Sequence, residues 1–90
     1  NWSAYCASKF ALDGFGKALA EEVKGSGICV TAIYPGATDT PLWDGAELTP
    51  EARAGMVQPE DVAEAVAFAL RQPARTRLAE LVIEPSKGDV

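Results

Sequence analysis

Tyr5 and Lys9 stand four residues apart in the run Trp2-Ser3-Ala4-Tyr5-Cys6-Ala7-Ser8-Lys9, so on a helix a phenol and an ammonium leave the same face. At ~100° per residue, Tyr5, Lys9, Leu12, Gly16, Leu19 and Val23 point within roughly 40° of one direction, and the rest of that stripe is apolar. A lysine there is costly unless it is paired or has a task. A free phenol titrates near pH ~10, and a cation held close favours the phenolate and lowers that value. Lowering it by ~2 pH units takes roughly 2.7 kcal/mol, which one ammonium in a water-poor pocket can supply. Tyr5 could then exchange a proton with an alcohol or carbonyl oxygen. In the alternative reading Lys9 snorkels past the helix edge and Tyr5 is ordinary core. A bare Y-x-x-x-K fits both.

The element carrying this pair reads as a helix over residues 3–24, stopped by Gly25-Ser26-Gly27. Its reverse side, with Ala7, Phe10, Ala11, Gly14 and Ala18, is small and apolar where a surface helix would carry charge. Both sides therefore call for cover, part of it from another subunit, so a homo-oligomer through this first helix is expected. Residues 28–34 (Ile-Cys-Val-Thr-Ala-Ile-Tyr) form a near-continuous apolar run of the kind buried on both faces of a parallel sheet.

Pro35-Gly36 ends that strand and lets the backbone turn sharply toward a ligand. Thr38 and Thr40 follow with hydroxyls and backbone groups; by themselves these residues also read as a simple strand-terminating turn. Residues 37–58 contain Pro41, Gly45, Pro50 and Gly55 with only short helical patches, which reads as a substrate loop or mobile lid. Pro59-Glu60-Asp61 opens a second helix, 59–71, with proline and acids in its first turn. A last strand follows at 80–84.

Helix, strand, loop, helix, strand is one βαβ crossover preceded by a helix without its incoming strand. Two parallel strands do not make a stable sheet. The expected fold class is α/β, with residues 1–90 the C-terminal portion of a doubly wound, Rossmann-type domain. In such sheets ligands sit outside the carboxyl ends of the strands, which places a small molecule at the loop after Tyr34.

Composition narrows the partners. Thirteen acidic against eight basic residues give a net charge of −5 with no Lys/Arg cluster, which speaks against nucleic acid and anionic membrane. No apolar run approaches the ~18 residues of a membrane span and no charged-then-apolar leader opens the sequence, so a cytoplasmic location is expected. Cys6 and Cys29 lack C-x-x-C spacing and the chain has no histidine; free buried thiols and no metal site are expected.

Taken together these segments resemble the short-chain dehydrogenase/reductase family over nearly the whole chain. Tyr5-Cys6-Ala7-Ser8-Lys9-Phe10-Ala11-Leu12 looks like the family's Y-x-A-S-K helix. Gly27 to Val30 with Tyr34-Pro35-Gly36 looks like its "G-I-x-V … P-G" strand, Thr40-Pro41 like the threonine that follows, and Pro59-Glu60-Asp61-Val62-Ala63 like its late helix. The glycine-rich phosphate loop and the family's catalytic serine have no counterpart in these residues. The ending Ala79-Glu80-Leu81-Val82-Ile83-Glu84-Pro85 resembles a subgroup closing in "E-L-x-I-x-P" rather than "T-G … D-G-G".

The resemblance implies an NAD- or NADP-dependent oxidoreductase interconverting an alcohol and a ketone or aldehyde. In it Tyr5 is the general acid/base, and Lys9 lowers the tyrosine pKa and bonds the nicotinamide ribose. Pro35, Gly36, the backbone near Thr38 and the Thr40 hydroxyl border the cofactor, and Ser8 is a packing residue. The rival readings are a nucleotide-sugar epimerase or dehydratase of the extended branch, whose long C-terminal substrate domain is not seen here, and an inactive truncated fragment.

Overall fold

The computed structural model describes residues 2–87. Helix α1 (Trp2–Glu22) leads through a turn to strand β1 (Ala32–Pro35); a 3₁₀ turn (Pro41–Trp43) and the short helix α2 (Pro50–Ala54) follow, then helix α3 (Pro59–Leu70) and strand β2 (Glu80–Ile83). The two strands pair in parallel, Ala32 opposite Glu80 and Pro35 opposite Ile83. α3 crosses between them and packs on β1. The architecture is α/β with a parallel sheet.

α1 stops at Glu22, two residues before the expected end. Its last turn tightens as the Lys24 N–H donates to the Glu21 carbonyl at 3.3 Å, and Gly25 (φ 81°) and Gly27 (φ 90°) then turn the chain in a conformation that side-chain-bearing residues avoid. α3 begins as its proline signal requires: Pro59 occupies the first turn, and the Asp61 carboxylate accepts the Gln58 N–H at 2.8 Å. That bond satisfies one donor left over at the helix start.

The first strand differs from expectation. It spans Ala32–Pro35 rather than 28–34, because β2 supplies a partner only from Glu80 onward. Ahead of it the Ala32 N–H donates to the Ala79 carbonyl at 3.0 Å, and the Val30 carbonyl is held by Arg77 Nε at 3.0 Å. β propensity alone does not make a strand; a ladder partner must lie alongside. β2 ends at Ile83, one residue short of the expected 84.

Residues 37–58 carry more structure than a lid was expected to. Thr38 and Val57 form a parallel bridge, with the Asp39 N–H on the Val57 carbonyl at 2.8 Å and the Val57 N–H on the Ala37 carbonyl at 3.0 Å. The Thr49 hydroxyl caps α2 through the Ala52 N–H at 3.0 Å. The loop closes on itself and brings Met56 and Val57 inward, both buried.

Those two residues and Ala20 are the buried hydrophobic residues among the described ones, whereas Trp2, Phe10, Phe15 and Leu70 are each more than three-fifths exposed. Apart from Ala20 near its C-terminal end, the two apolar sides of α1 thus find little cover within these residues. The thiols of Cys6 and Cys29 are free and exposed rather than buried, for the same reason. No described helix is long and apolar enough to cross a membrane.

Candidate active site

α1 presents Tyr5 and Lys9 one turn apart, and Lys9 Nζ sits over the Tyr5 ring, 5.4 Å from its centroid. This is within the ~6 Å at which a cation is held by a ring face. Trp2 meets the same ring edge-on, with centroids 5.7 Å apart and planes at 88°. The ring is therefore oriented by an indole on one side and an ammonium on the other. The Ser8 hydroxyl donates to the Tyr5 carbonyl at 2.7 Å, an intrahelical use that commits it to the backbone.

The expectation that Lys9 lies on a buried stripe is not met among the described residues. Lys9 is exposed, and Tyr5 and Leu12 are 53% and 64% exposed. The spacing did put both side chains on one face; the second wall of that face is not made by these residues. What they do make is an open cavity of about 520 Å³ between α1 and β1, bordered by Tyr5, Lys9, Asp13, Tyr34 and Pro35.

Two further i+4 steps along α1 carry the stripe to Asp13 and Lys17. The Tyr34 hydroxyl donates to the Asp13 carboxylate. Lys17 Nζ lies 3.2 Å from the same carboxylate and 3.7 Å from Glu80 on β2. This chain of contacts joins the helix to both strands. The Tyr34 bond, then Lys17, holds the Asp13 carboxyl below the usual carboxylate range, and the Asp13 carboxylate pushes the Tyr34 phenol up to about 12. Tyr34 is thereby kept neutral, as a hydrogen-bond donor. Sequence reasoning missed this pair, although reading the Tyr5–Lys9 spacing onward would have reached Asp13.

At the carboxyl end of β1, Pro35 borders the cavity, while Gly36, Thr38 and Thr40 lie beyond it, where the chain turns toward Val57. Gly36 is not in the left-handed region, so the sharp-turn reason for a glycine does not hold. Space is the reason: an added Cβ would stand 3.2 Å from Pro85 Cδ and 3.3 Å from the Ile83 carbonyl oxygen. The Gly36 N–H donates to that carbonyl at 2.7 Å. The Thr38 hydroxyl donates to the Gly36 carbonyl at 2.9 Å. The N–H groups of Ala37, Thr38 and Thr40 meet no backbone carbonyl among the described residues. A dinucleotide, with carboxamide and phosphate oxygens to accept them, fits that donor set.

A second cluster lies in the loop itself. Arg53 of α2 bonds Asp39, Asp44 and the carbonyl of Thr40. It too was missed, because its partners are distant in sequence and follow no periodic pattern.

Comparison with known proteins agrees with this geometry. Residues 1–51 match the short chain dehydrogenase family model. Sepiapterin reductase of Chlorobaculum tepidum is 35% identical over 88 residues, which cover 98% of this chain and 35% of that protein. Glycine betaine reductase of Emericella nidulans is 40% identical over 89 residues, 90% of this chain and 7% of the other. The crystal structure of a betaketoacyl-ACP reductase from Bacteroides thetaiotaomicron superposes with a TM-score of 0.81 at 31% identity, over 92% of this chain and 36% of that one. The chain thus spans about a third of the length of the first and last of these reductases. With the Tyr5–Lys9 helix, the parallel strands and the loop after Pro35-Gly36 all placed within such a fold, the chain belongs to the short-chain dehydrogenase family.

Proposed function

We propose that this chain is the C-terminal portion of a single NAD(P)-binding Rossmann domain and that the complete protein interconverts an alcohol and a ketone or aldehyde. The observation that carries the reading is the stacking of the Lys9 ammonium over the Tyr5 ring at the mouth of a cavity that Pro35 also borders. A cation over the ring is held by its negative π face, which keeps phenol and ammonium together on one side of the helix. Bound at the carboxyl end of β1, the nicotinamide cofactor supplies or accepts the hydride.

In the reducing direction the Tyr5 hydroxyl donates its proton to the substrate oxygen as negative charge develops there. In this reading Lys9 then stabilises the phenolate left behind and bonds the nicotinamide ribose. Oxidation runs the same transfer backwards, with Tyr5 as base. Pro35, Gly36, the N–H groups near Thr38 and the Thr40 hydroxyl border the cofactor.

The uncovered apolar faces of α1, together with a span of about a third of two relatives, support a larger domain in which preceding elements complete the sheet and the phosphate site. They also support a homo-oligomer that covers part of α1. The ninety residues alone are then inactive. Free, exposed cysteines fit a reducing, cytoplasmic setting.

The test is a titration of the complete protein with NADH and NADPH, followed by cofactor oxidation across a panel of small ketones and aldehydes. Saturable binding and carbonyl-dependent loss of reduced cofactor are expected. Absence of both, with a folded protein, overturns the reading.

A further inference from the structure

Arg53 stands on α2, thirteen residues beyond Thr40, yet its guanidinium spans three acceptors of the loop that follows β1. Nε donates to Asp39 Oδ1 at 2.7 Å, and Nη2 lies 2.7 Å from the same oxygen. Nη1 donates to Asp44 Oδ1 at 3.0 Å, and Nη2 to the Thr40 carbonyl at 3.0 Å. The Arg53 and Asp39 side chains are 28% and 24% exposed, whereas Asp44 is 66% exposed. The inner pair carries most of the constraint, since a charge pair is screened as it enters water.

The Thr40 carbonyl also accepts the Trp43 N–H at 3.0 Å, so its two lone pairs are both engaged and its peptide plane is fixed. Thr40 itself is extended (φ −132°, ψ 168°), with its N–H meeting no backbone carbonyl among the described residues. From behind, α2 is anchored in turn: Gln58 Nε2 donates to the Arg53 carbonyl at 3.2 Å and to the Met56 carbonyl at 3.3 Å, next to the buried Val57. A planar fork with donors on three nitrogens can hold a carboxylate, a second carboxylate and a carbonyl at once; a lysine ammonium on a flexible stem cannot reproduce that spread.

We propose that Arg53 is the positioning residue of the cofactor-facing loop, holding the Thr40 backbone so that its hydroxyl and N–H are presented to the nicotinamide end of NAD(P). This rests on the reading that Thr40 borders the cofactor. Arg53 touches neither cofactor nor substrate. Its effect passes through the carbonyl of Thr40, and the device works by removing conformations the loop would otherwise sample before binding.

The experiment measures the cofactor dissociation constant, cofactor KM and kcat of the complete enzyme and of its Arg53→Ala, Arg53→Lys, Asp39→Asn and Thr40→Val variants. Arg53→Ala is expected to raise the dissociation constant and KM about tenfold, with a much smaller loss in kcat at saturating cofactor, the size of effect expected when one charge-assisted bond that orders a loop is lost. Arg53→Lys keeps the charge but not the fork and falls nearer to Arg53→Ala than to the parent. Asp39→Asn weakens binding in the same direction. Millimolar ethylguanidinium restores affinity to Arg53→Ala and does nothing for Thr40→Val. Should Thr40→Val weaken cofactor binding while Arg53→Ala and Asp39→Asn lower only the melting temperature, the positioning role is overturned and the cofactor reading stands. Should Thr40→Val leave binding unchanged, both fall together.

Discussion

The Tyr34 hydroxyl donates to the Asp13 carboxylate and so joins the helix that carries Tyr5 and Lys9 to the last residues of the strand that ends in Pro35. Asp13 lies one turn beyond Lys9, and Tyr34 immediately precedes Pro35-Gly36. The bond therefore helps tie the proposed proton-transfer pair to the proposed cofactor loop.

That bond has a pH signature with two limbs. The Asp13 carboxyl is held below its free value, chiefly by the Tyr34 hydroxyl, so its contribution is present above the free carboxylate range and is lost as pH falls through the depressed folded value. Tyr34 is raised to about 12 by the Asp13 carboxylate, so its contribution is present below the free phenol value near ~10 and is lost as pH rises from there toward 12. Tyr34→Phe in the complete protein should flatten both limbs of the melting temperature against pH, because it lowers the plateau between them, where the bond is fully present, more than the flanks, where it is already lost. A variant whose profile parallels the parent's at every pH would show that the bond is not made in solution.

Tyr5→Phe keeps the ring between Trp2 and Lys9 and removes the hydroxyl alone. The fold should be unaffected and turnover should fall by ~10²–10⁴, the usual contribution of a general acid/base step. Steady-state rates with NADH or NADPH check this, with circular dichroism as the folding control. Turnover within tenfold of the parent would remove Tyr5 from the mechanism.

Lys9→Met tests the cation over the ring. With the ammonium gone, the Tyr5 ring loses the cation over its face and the proposed ribose contact is removed, so turnover should fall and cofactor should bind less tightly. Stability should be unchanged or slightly improved, because an apolar side chain replaces a charge on an apolar helix face. If Lys9 only snorkels to solvent, neither turnover nor cofactor affinity will move.

How far these residues could be read in advance depended on whether the signal was local. The turn at Gly25 after α1 and the start of α3 at Pro59 were legible because a left-handed glycine and a first-turn proline act within one turn of chain. The Tyr5–Lys9 adjacency followed from helical geometry alone. The true start of β1 was not legible, since it is set by where β2 begins, almost fifty residues later. Nor was the Arg53 cluster, whose acceptors Asp39, Thr40 and Asp44 sit nine to fourteen residues away in irregular chain. Gly36 was legible as a necessary glycine, but for a reason only the folded sheet reveals.

That reason makes Gly36→Ala a direct test of the sheet. The added methyl would meet the Pro85 ring at 3.2 Å and the Ile83 carbonyl at 3.3 Å, and neither is the free end of a flexible side chain that could swing aside. The Gly36 N–H bond to Ile83 must lengthen, or β2 must move away from the end of β1. Overpacking of this kind costs about 1–2 kcal/mol, which should appear as a lower denaturation midpoint of the complete protein with an unchanged slope. Since φ at Gly36 is not positive, alanine meets no backbone strain there, and its lower unfolded-state entropy offsets about 0.4–1 kcal/mol of the overpacking. Pro85→Ala removes the ring atom but not the carbonyl, and should recover part of the loss when combined with Gly36→Ala. Equal midpoints for Gly36→Ala and the parent would mean that the two strand ends are not packed as closely as Gly36, Ile83 and Pro85 require.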